Sequence, residues 1–323
     1  MARWMKLGLV LAMCIGVPNI GMAQQIVMRL ASDGAPGDPY VQILGYEFAK
    51  KVGEKSGGRV RVDVFPSAQL GSGRAMLEGV EMGSIDIALS VMGRLEHYTP
   101  IGAVADFPYM IRDRSHFEKV FHGPVGREYI AAVEKESGLR MISVGWWGPR
   151  NLQTTRPVRS LKDLKGLKVR VPPLPLYVEA WKRLGASPTP MDASEIYMGL
   201  KQGVIQGQEN PLTLIYNLKW HEVAKFISST EHILGNIVHL MSKKRLEALP
   251  ADVRKIVEDT ATETALTLSD KTDAVTLEVM EKMKATGVEF LSVDKKEWMA
   301  ALDGMINSYP KLMPWYQKIV AVK

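Results

Sequence analysis

Two segments of the sequence, Met76-Leu-Glu-Gly-Val-Glu-Met-Gly-Ser-Ile85 and Ile196-Tyr-Met-Gly-Leu-Lys-Gln-Gly-Val-Ile205, align at a constant offset of 120 residues. In both segments an apolar helical pattern ends at a glycine, Gly83 or Gly203, and an isoleucine follows two residues later. The match predicts two related α/β lobes. Two unrelated helix–glycine–strand units could produce the same short pattern, so the surrounding order of elements has to support the prediction.

That order repeats in both halves of the chain. Strand and helix patterns alternate as β-α-β-α-β, which is typical of a parallel sheet with helices on its faces. The predicted elements are strands at 26–31, 60–65 and 85–89 with helices at 38–55 and 72–82, then strands at 167–171, 187–191 and 204–206 with helices at 177–184 and 192–201.

A long helix is predicted over 250–285, where the sequence contains neither glycine nor an internal proline. At a rise of about 1.5 Å per residue this helix would span roughly 50 Å, enough to cross both lobes. A strand at 288–291 and a helix at 295–320, broken at Pro310, are predicted to follow. The predicted lobes comprise 24–147 with about 236–275, and 148–235 with about 276–323.

Composition places the chain among ordinary globular proteins. Its 323 residues are 46% apolar and 24% charged, which allows two domains and excludes disordered, collagen-like and coiled-coil classes. The net charge of +6 is spread along the chain without a basic arm, so nucleic acid binding is not expected. The single cysteine, Cys14, excludes an intrachain disulfide and a cysteine-ligated zinc site.

The first residues have the features of an export signal. Arg3 and Lys6 precede an apolar run at 7–17, and small residues follow up to Ala23. We predict that 1–23 is a secretory signal peptide cleaved after Ala23, which would deliver the mature protein to the periplasm. The alternative is an uncleaved anchor, but the apolar run is too short for an ordinary membrane span.

Motifs of common enzymes and metal sites are absent from the sequence. The six histidines show no metal-ligand spacing, and neither a GxSxG elbow nor a GxxxxGK[ST] phosphate loop occurs. We therefore expect a protein that is not an enzyme and carries no cofactor or metal. An exported hydrolase of small esters or amides stays an alternative, although no nucleophile–base pair is evident.

A tryptophan pair followed by an arginine marks the predicted junction of the lobes. Trp146 and Trp147 stand between Gly145 and Gly148, and Arg150 follows closely. Aromatic faces on a flexible backbone can pack closely around a ligand. The alternative is a tryptophan pair in the core and a solvated arginine.

Arg170 is the most telling charged residue because it lies between Val169 and Val171 on a predicted strand. A buried charge needs a partner, and no acid nearby in the sequence supplies one. A bound carboxylate would, because the planar guanidinium meets both carboxylate oxygens. The alternative is an ion pair with a distant acid. The polar segment 207–211 is predicted to be a loop after a strand, where ligands of open α/β sheets bind.

Five segments occur in an order that resembles a known family. Together they are similar to the substrate-binding proteins of tripartite ATP-independent periplasmic (TRAP) transporters, the DctP family. The segments are Phe65-Pro-Ser-Ala-Gln-Leu-Gly71, Gly83-Ser-Ile-Asp86, Leu164-Lys-Gly-Leu-Lys-Val-Arg-Val-Pro172, Gly185-Ala-Ser-Pro-Thr-Pro190 and Gly207-Gln-Glu-Asn-Pro211.

The resemblance implies a periplasmic-binding-protein fold of two α/β lobes, spanned by a long helix, that closes on an organic acid. It implies that Arg170 is the carboxylate-clamping arginine, that Arg150 is a second pocket arginine, and that Asn210 contacts the ligand. Its neighbour Gln208 is a further candidate. The expected partners are a small carboxylate and the small and large membrane subunits of a TRAP permease, with the receptor itself a monomer.

Two positions depart from the sialic-acid branch of that family. A pocket glutamate of that branch aligns with Val91, and a pocket phenylalanine aligns with Ala193. The resemblance therefore argues against sialic acid and leaves an aromatic acid, a short hydroxy acid or a sugar acid open. The tryptophan pair favours a ligand with a flat or apolar face. A binding protein of an ABC importer or a sensor kinase stays an alternative, since it would share the fold.

Overall fold

The computed structural model describes residues 25–323, and the predicted signal peptide at 1–23 lies outside them. Nine strands form one mixed sheet with helices on both faces. The strands are β1 (Ile26–Ser32), β2 (Val60–Phe65), β3 (Ile87–Ser90), β4 (Leu139–Thr154), β5 (Lys168–Val171), β6 (Ser187–Pro190), β7 (Gly207–Pro211), β8 (Phe226–Ser242) and β9 (Glu289–Leu291).

The helices account for most of the remaining chain, and a π-helical turn at Val41–Glu47 leads directly into the first of them. Short 3-10 turns connect several others. The helices are α1 (Phe48–Lys55), α2 (Gly73–Met82), α3 (Arg114–Phe121), α4 (Pro124–Ser137), α5 (Leu161–Leu164), α6 (Pro175–Arg183), α7 (Ile196–Lys201), α8 (Leu212–Asn217), α9 (Lys243–Glu247), α10 (Ala251–Ala285), α11 (Lys295–Ala301) and α12 (Met313–Val320).

The sheet consists of two similar halves. Its order is β2-β1-β3-β8-β4-β7-β5-β6, with β9 attached to β8. β1 runs parallel to β2 and β3, and β5 runs parallel to β6 and β7. We call the half around β1–β3 the first lobe and the half around β5–β7 the second lobe. The predicted two-lobed α/β fold is therefore confirmed.

The repeated sequence segments adopt the same local structure in both lobes. A Cβ atom at Gly79 would lie 2.7 Å from Ile85 Cδ1, and one at Gly199 would lie 3.1 Å from Ile205 Cγ1. The amide of Ile85 donates to Gly79 O at 3.0 Å, and the amide of Ile205 donates to Gly199 O at 3.2 Å. In both lobes the glycine thus leaves room for the following isoleucine, which folds back over the helix.

Two long strands that the sequence analysis did not predict, β4 and β8, join the lobes. They pair antiparallel, with a register shift between Trp146 and Gly148. Gly148 has a φ of 87°, and a Cβ atom at Gly235 would lie 2.8 Å from Gly148 O. This close, irregular crossing needs glycine on both strands, and it is the place where the chain passes between the lobes.

The predicted long helix is present as α10, which has 35 residues. At about 1.5 Å per residue it is roughly 50 Å long. It contacts α1 in the first lobe, and α8, which directly follows β7, in the second. Ser269 Oγ accepts a hydrogen bond from Trp146 N at 2.9 Å, and Thr272 Oγ1 donates to Trp146 O at 3.0 Å. These bonds attach the helix to β4 beside the strand crossing.

The C-terminal helix α12 packs against α4. Arg112 Nη1 donates to Val320 O at 3.0 Å, and Lys318 pairs with Glu128 at 2.6 Å. Both partners precede β4, in the range predicted for the first lobe. We propose that α12 moves with the first lobe; the other lobe boundaries stay a prediction.

Segment 207–211 is a buried strand, β7, and not the predicted loop. It lies between β4 and β5, and all five of its residues are buried. The polar side chains bond to one another and to β4. Gln208 Nε2 donates to Gln153 Oε1 at 2.7 Å, and Asn210 Nδ2 donates to Gln208 Oε1 at 2.7 Å. Polarity here reflects an internal hydrogen-bond network and not exposure to water.

Two kinds of feature are not found within residues 25–323. None of the helices there is long and apolar enough to cross a membrane. No group of three or more histidine, cysteine, aspartate or glutamate side chains is arranged to hold a metal ion.

A buried carboxyl group near the first lobe's core predicts a pH dependence of stability. Asp38 Oδ1 accepts a hydrogen bond from Tyr40 N at 3.1 Å, and Oδ2 has no partner among the described residues. Burial raises the pKa of Asp38 to about 7, against the opposing effect of the Tyr40 amide. The unfolded chain releases this proton near pH 4 and the folded chain near pH 7.

The Asp38 contribution to stability is therefore full below pH 4 and is lost as the pH rises to 7, by at most about 1.4 kcal/mol per pH unit. We expect Asp38→Asn to remove this part of the slope in the free energy of unfolding, measured by urea titration between pH 4.5 and 8. Asp259→Asn, on the exposed face of α10, is the control and should keep the wild-type slope. An unchanged slope in Asp38→Asn would show that the carboxyl group stays ionised when buried.

Candidate functional site

A cleft lies between the lobes. Its walls come from residues at the carboxyl ends of parallel strands in both lobes, the usual position of ligands in such sheets. Part of the floor comes from β4 where it crosses between the lobes. The polar and aromatic wall residues are Asp33, Tyr40, Ser90, Arg94, Trp147, Arg150, Arg170, Tyr177 and Asn210.

Arg170 is a buried cation with no carboxylate partner in the part of the chain that the structure describes. Its residue is 3% exposed, and Nε donates to Met191 O at 2.8 Å. None of the described acids forms an ion pair with it. Burial lowers the pKa of Arg170 to about 10, and the charges of Arg150 and Arg94 act in the same direction against the attraction of Glu209. The guanidinium lines the cleft, so an anion placed there would compensate it.

Arg150 also lines the cleft, but its charge is already compensated. Nε and Nη2 donate to the two carboxylate oxygens of Glu209 at 2.6 and 2.8 Å. The guanidinium lies 5.6 Å from the ring centre of Tyr177. The arginine is 5% exposed, so the solvated alternative is wrong. The arginine fork and the carboxylate form a bidentate pair that fixes one face of the cleft.

Glu209 sits at the centre of a buried network. Burial acts to raise the pKa of Glu209, but Arg150 and His232 outweigh it and lower the value to about 2. His232 Nε2 lies 3.0 Å from Glu209 Oε2, and its Nδ1 lies 2.8 Å from Thr230 Oγ1. The network therefore holds the carboxylate, and through it Arg150, in one position.

One hydrogen bond of this region connects the lobes directly. The Tyr177 hydroxyl, on α6 of the second lobe, donates to Asp106 Oδ2 at 2.8 Å. Asn236 Nδ2 donates to Asp106 Oδ1 at 2.9 Å, and Asn236 Oδ1 accepts from Met92 N at 2.7 Å. The ring under Arg150 is thus tied to the first lobe.

The two adjacent tryptophans point in opposite directions. Trp147 lines the cleft at 5.3 Å from the Tyr40 ring, and its buried Nε1 has no acceptor in the described part of the chain. Trp146 packs at 5.2 Å from Phe117, and its Nε1 donates to Asp273 at 2.8 Å. Neighbouring strand residues face opposite sides of a sheet. The predicted ligand contact is therefore wrong for Trp146.

This difference predicts a spectroscopic result. If Trp147 contacts the ligand, its fluorescence changes on binding, and Trp147→Phe loses that change. Trp146→Phe, the neighbouring control, should keep it. Truncating the cleft residue to alanine should weaken binding by roughly 1–3 kcal/mol. An unaltered ligand-dependent signal and affinity in Trp147→Phe and Trp147→Ala would remove Trp147 from the binding site.

Of the remaining predicted site residues, some lie on the cleft wall and one lies behind it. Asn210, Val91 and Ala193 lie on the cleft wall. Gln208 does not; it is fully buried and accepts a hydrogen bond from Asn210 behind the wall. Gln208 is therefore corrected from a ligand contact to a support for Asn210. Ligand contacts by the wall residues stay a prediction.

A second charged pair in the cleft, Arg94 with Asp33, is not evident from the sequence. Arg94 Nη2 lies 2.6 Å from Asp33 Oδ2, and both side chains are mostly buried. Asp33 Oδ1 and Ser90 Oγ have no hydrogen-bond partner within residues 25–323. Asp33 directly follows β1, and Ser90 ends β3. The rule that ligands bind beyond the carboxyl ends of parallel strands would have found both if applied to every strand.

The fold and the cleft define a two-lobed solute-binding protein. A family model of bacterial extracellular solute-binding proteins, family 7, matches residues 30–312. The chain belongs to this family, DctP. The assignment supports the TRAP interpretation over an ABC importer, because solved structures with this fold are named as TRAP periplasmic solute-binding proteins.

Three similar proteins illustrate the family. The 2,3-diketo-L-gulonate-binding periplasmic protein YiaO of Escherichia coli is 30% identical over 82% of this chain and 81% of its own length. A TRAP periplasmic solute-binding protein from Roseobacter denitrificans, solved with bound L-galactonate, has a TM-score of 0.87 at 28% identity, covering 92% of this chain and 99% of that one. Another from Xanthobacter autotrophicus, with bound β-D-galacturonate, has a TM-score of 0.87 at 31% identity, covering 92% and 100%.

Proposed function

We propose that this protein is a periplasmic receptor that captures a hydroxylated monocarboxylate and delivers it to a TRAP permease. The observation that carries the proposal is Arg170, a buried guanidinium that faces the cleft without a carboxylate partner among the described residues. Burying an uncompensated charge is unfavourable, and a carboxylate bound in the cleft would compensate it.

The charge pairing supports one carboxylate on the ligand. Three arginines line the cleft, and two of them already hold a carboxylate of the chain. Arg94 pairs with Asp33, and Arg150 pairs with Glu209. Only Arg170 lacks a partner among the described residues. A second ligand carboxylate would have to displace an existing pair or stay uncompensated, which disfavours dicarboxylates.

Unsatisfied polar atoms support hydroxyl groups on the rest of the ligand. Asp33 Oδ1, Ser90 Oγ and Trp147 Nε1 are buried, have no partner within residues 25–323, and belong to wall residues of the cleft. Buried polar groups are normally hydrogen-bonded. A ligand hydroxyl can donate to the first and accept from the third, whereas a purely apolar acid leaves all three unpaired. The flat, apolar ligand suggested by the tryptophan pair is therefore disfavoured.

The proposal includes the location of the protein, its oligomeric state and its membrane partners. Export follows from the signal peptide predicted at 1–23, and relatives named as periplasmic proteins support that location. We propose that the protein works as a monomer, performs no catalysis, and passes its cargo to small and large permease subunits. The acids bound in the solved relatives, L-galactonate and galacturonate, each combine one carboxylate with several hydroxyl groups and are the first candidates.

A thermal-shift panel tests this proposal. It contains aldonates, uronates and pantoate, with the matching alditols, a dicarboxylate and benzoate as controls. We expect the melting temperature to rise with one or more hydroxylated monocarboxylates and to stay constant with the alditols, the dicarboxylate and benzoate. Stabilisation by a neutral alditol equal to that by its acid, or by the dicarboxylate or benzoate alone, would contradict the proposed ligand class.

A further inference from the structure

A carboxylate of the second lobe lies against the start of a helix in the first lobe. Asp192 lies two residues after the end of β6, and a Cβ atom at Gly73 would lie 2.4 Å from Asp192 Oδ1. The three heavy atoms closest to that Cβ atom would all belong to Asp192. Gly73 is the first residue of α2, and the side chain of Ser72, the residue before it, makes no capping hydrogen bond to the described helix. The glycine thus leaves just enough room for the aspartate of the opposite lobe.

The aspartate is held in place by its own lobe. Asp192 N donates to Glu195 Oε2 at 2.9 Å, while the Asp192 side chain accepts from the Glu195 amide. This reciprocal capping box fixes the direction of the carboxylate. Ser72 Oγ, next to the contact on α2, is buried with no partner in the described chain. The first turn of α2 has no acidic residue of its own, and Asp192 is the acidic side chain that lies against it.

In a second contact between the lobes, the acidic side chain comes from the first lobe and the helix from the second. Glu96 belongs to the first lobe, in the turn Met92–His97 that follows β3. Burial raises the pKa of the Glu96 carboxyl group to about 7, against the opposing effect of the nearby Leu176 backbone amide, in the first turn of α6 in the second lobe. Glu96 Oε2 is buried and has no partner within residues 25–323. Each lobe thus places one acidic side chain on the first turn of a helix of the other.

Physical chemistry makes both contacts favourable. The first amides of a helix have no partner within it, and the helix dipole places partial positive charge at that end. An acidic side chain against this end of a helix offers an acceptor to these amides and, when ionised, the opposite charge. Because the partners come from different lobes, opening of the cleft would separate them. Neither Asp192 nor Glu96 belongs to the cleft wall.

We propose that Asp192 on α2 and Glu96 on α6 form a reciprocal latch that sets the balance between closed and open receptor, and thereby ligand affinity, without touching the ligand. The proposal rests on the proposed function, since it assumes that closure retains a ligand. The apparent affinity of such a receptor falls in proportion to the closed population. Both residues are therefore positioning residues for binding.

Substitution of Gly73 tests the latch with a closely matched control. Gly73→Ala places a methyl group against Asp192 and should prevent full closure. Gly83→Ala, at the other end of α2, is the control: its φ of 79° imposes a similar backbone strain, but a Cβ atom there meets nothing within 4 Å. In calorimetric titration with L-galactonate we expect at least a tenfold loss of affinity for Gly73→Ala and near wild-type affinity for Gly83→Ala.

A second variant and a second measurement complete the test. Gly73→Ala/Asp192→Ala removes the clash and should bind more tightly than Gly73→Ala alone. Small-angle scattering at saturating L-galactonate should give a larger radius of gyration for Gly73→Ala than for Gly83→Ala. Equal affinity of the two single variants, or no recovery in the double variant, would overturn the latch. If neither wild type nor Gly83→Ala binds L-galactonate, the proposed function fails for this acid, and equal affinities of the two single variants for the acid that the thermal-shift panel identifies would overturn the latch.

Discussion

Replacing Arg170 with alanine is expected to abolish measurable binding of the carboxylate while the protein stays folded. The side chain is 3% exposed, and its one hydrogen bond within the described chain goes to a backbone carbonyl, so its charge is free for the ligand. Losing a buried, charge-assisted contact costs roughly 2–5 kcal/mol, or about 30-fold to several thousandfold in affinity. Arg170→Lys keeps the charge but loses the planar fork, so weak binding is expected.

The same variant should not lose stability in the absence of ligand. Removing a buried charge without a partner relieves a desolvation cost, so the melting temperature of ligand-free Arg170→Ala should equal or exceed that of wild type. Calorimetric titration and a melting curve on one sample separate the effects. Near wild-type affinity would refute the role of Arg170 as a carboxylate clamp, and a large drop in melting temperature would indicate a structural ion pair instead.

Breaking the Arg150–Glu209 pair should reduce the stability of the ligand-free protein, in contrast to Arg170→Ala. Both side chains are buried, and the two hydrogen bonds of the pair are 2.6 and 2.8 Å long. Removing one partner leaves the other charge buried and uncompensated, which costs about 3–5 kcal/mol of folding free energy. We therefore expect Glu209→Gln and Arg150→Ala to be strongly destabilised.

Two controls make that expectation specific. Asp259→Ala breaks the exposed Lys255–Asp259 pair on α10 and should cost less than about 1 kcal/mol. The double variant Arg150→Met/Glu209→Leu removes both charges together and should recover much of the loss. The free energy of unfolding is measured by urea titration at pH 7. A loss in Glu209→Gln no greater than that in Asp259→Ala would show that the buried pair does not hold the site together.

The elements predicted correctly are those defined by local pattern. The repeated helix–glycine–strand units and α10 follow from residue periodicity and from glycine and proline positions, which a sequence displays directly. β4 and β8 escaped prediction because they are buried along nearly their whole length and show little alternation. β7 was mistaken for a loop because its polar residues satisfy one another inside the sheet.

Site residues divide in the same way. Arg170 was predictable because a charge inside an apolar strand is a local anomaly. The pairing of Arg150 with Glu209 joins residues 59 positions apart, and no pattern around either one indicates it. Which of Trp146 and Trp147 faces the cleft depends on how the side chains of β4 alternate between the two faces of the sheet. The register shift at this point alters that alternation. Which side chains form ion pairs and which side chains face the cleft depend on the tertiary structure. Both decide which side chains can contact the ligand.

The most direct test of the central claim is a calorimetric titration with a matched pair: L-galactonate and galactitol, which has the same carbon chain and hydroxyl pattern but no carboxylate. If capture depends on the carboxylate at Arg170, the acid binds wild type at one molecule per chain, galactitol gives no binding heat, and the acid gives none with Arg170→Ala. Binding of galactitol as tight as that of the acid, or binding of the acid by Arg170→Ala at wild-type affinity, would contradict it.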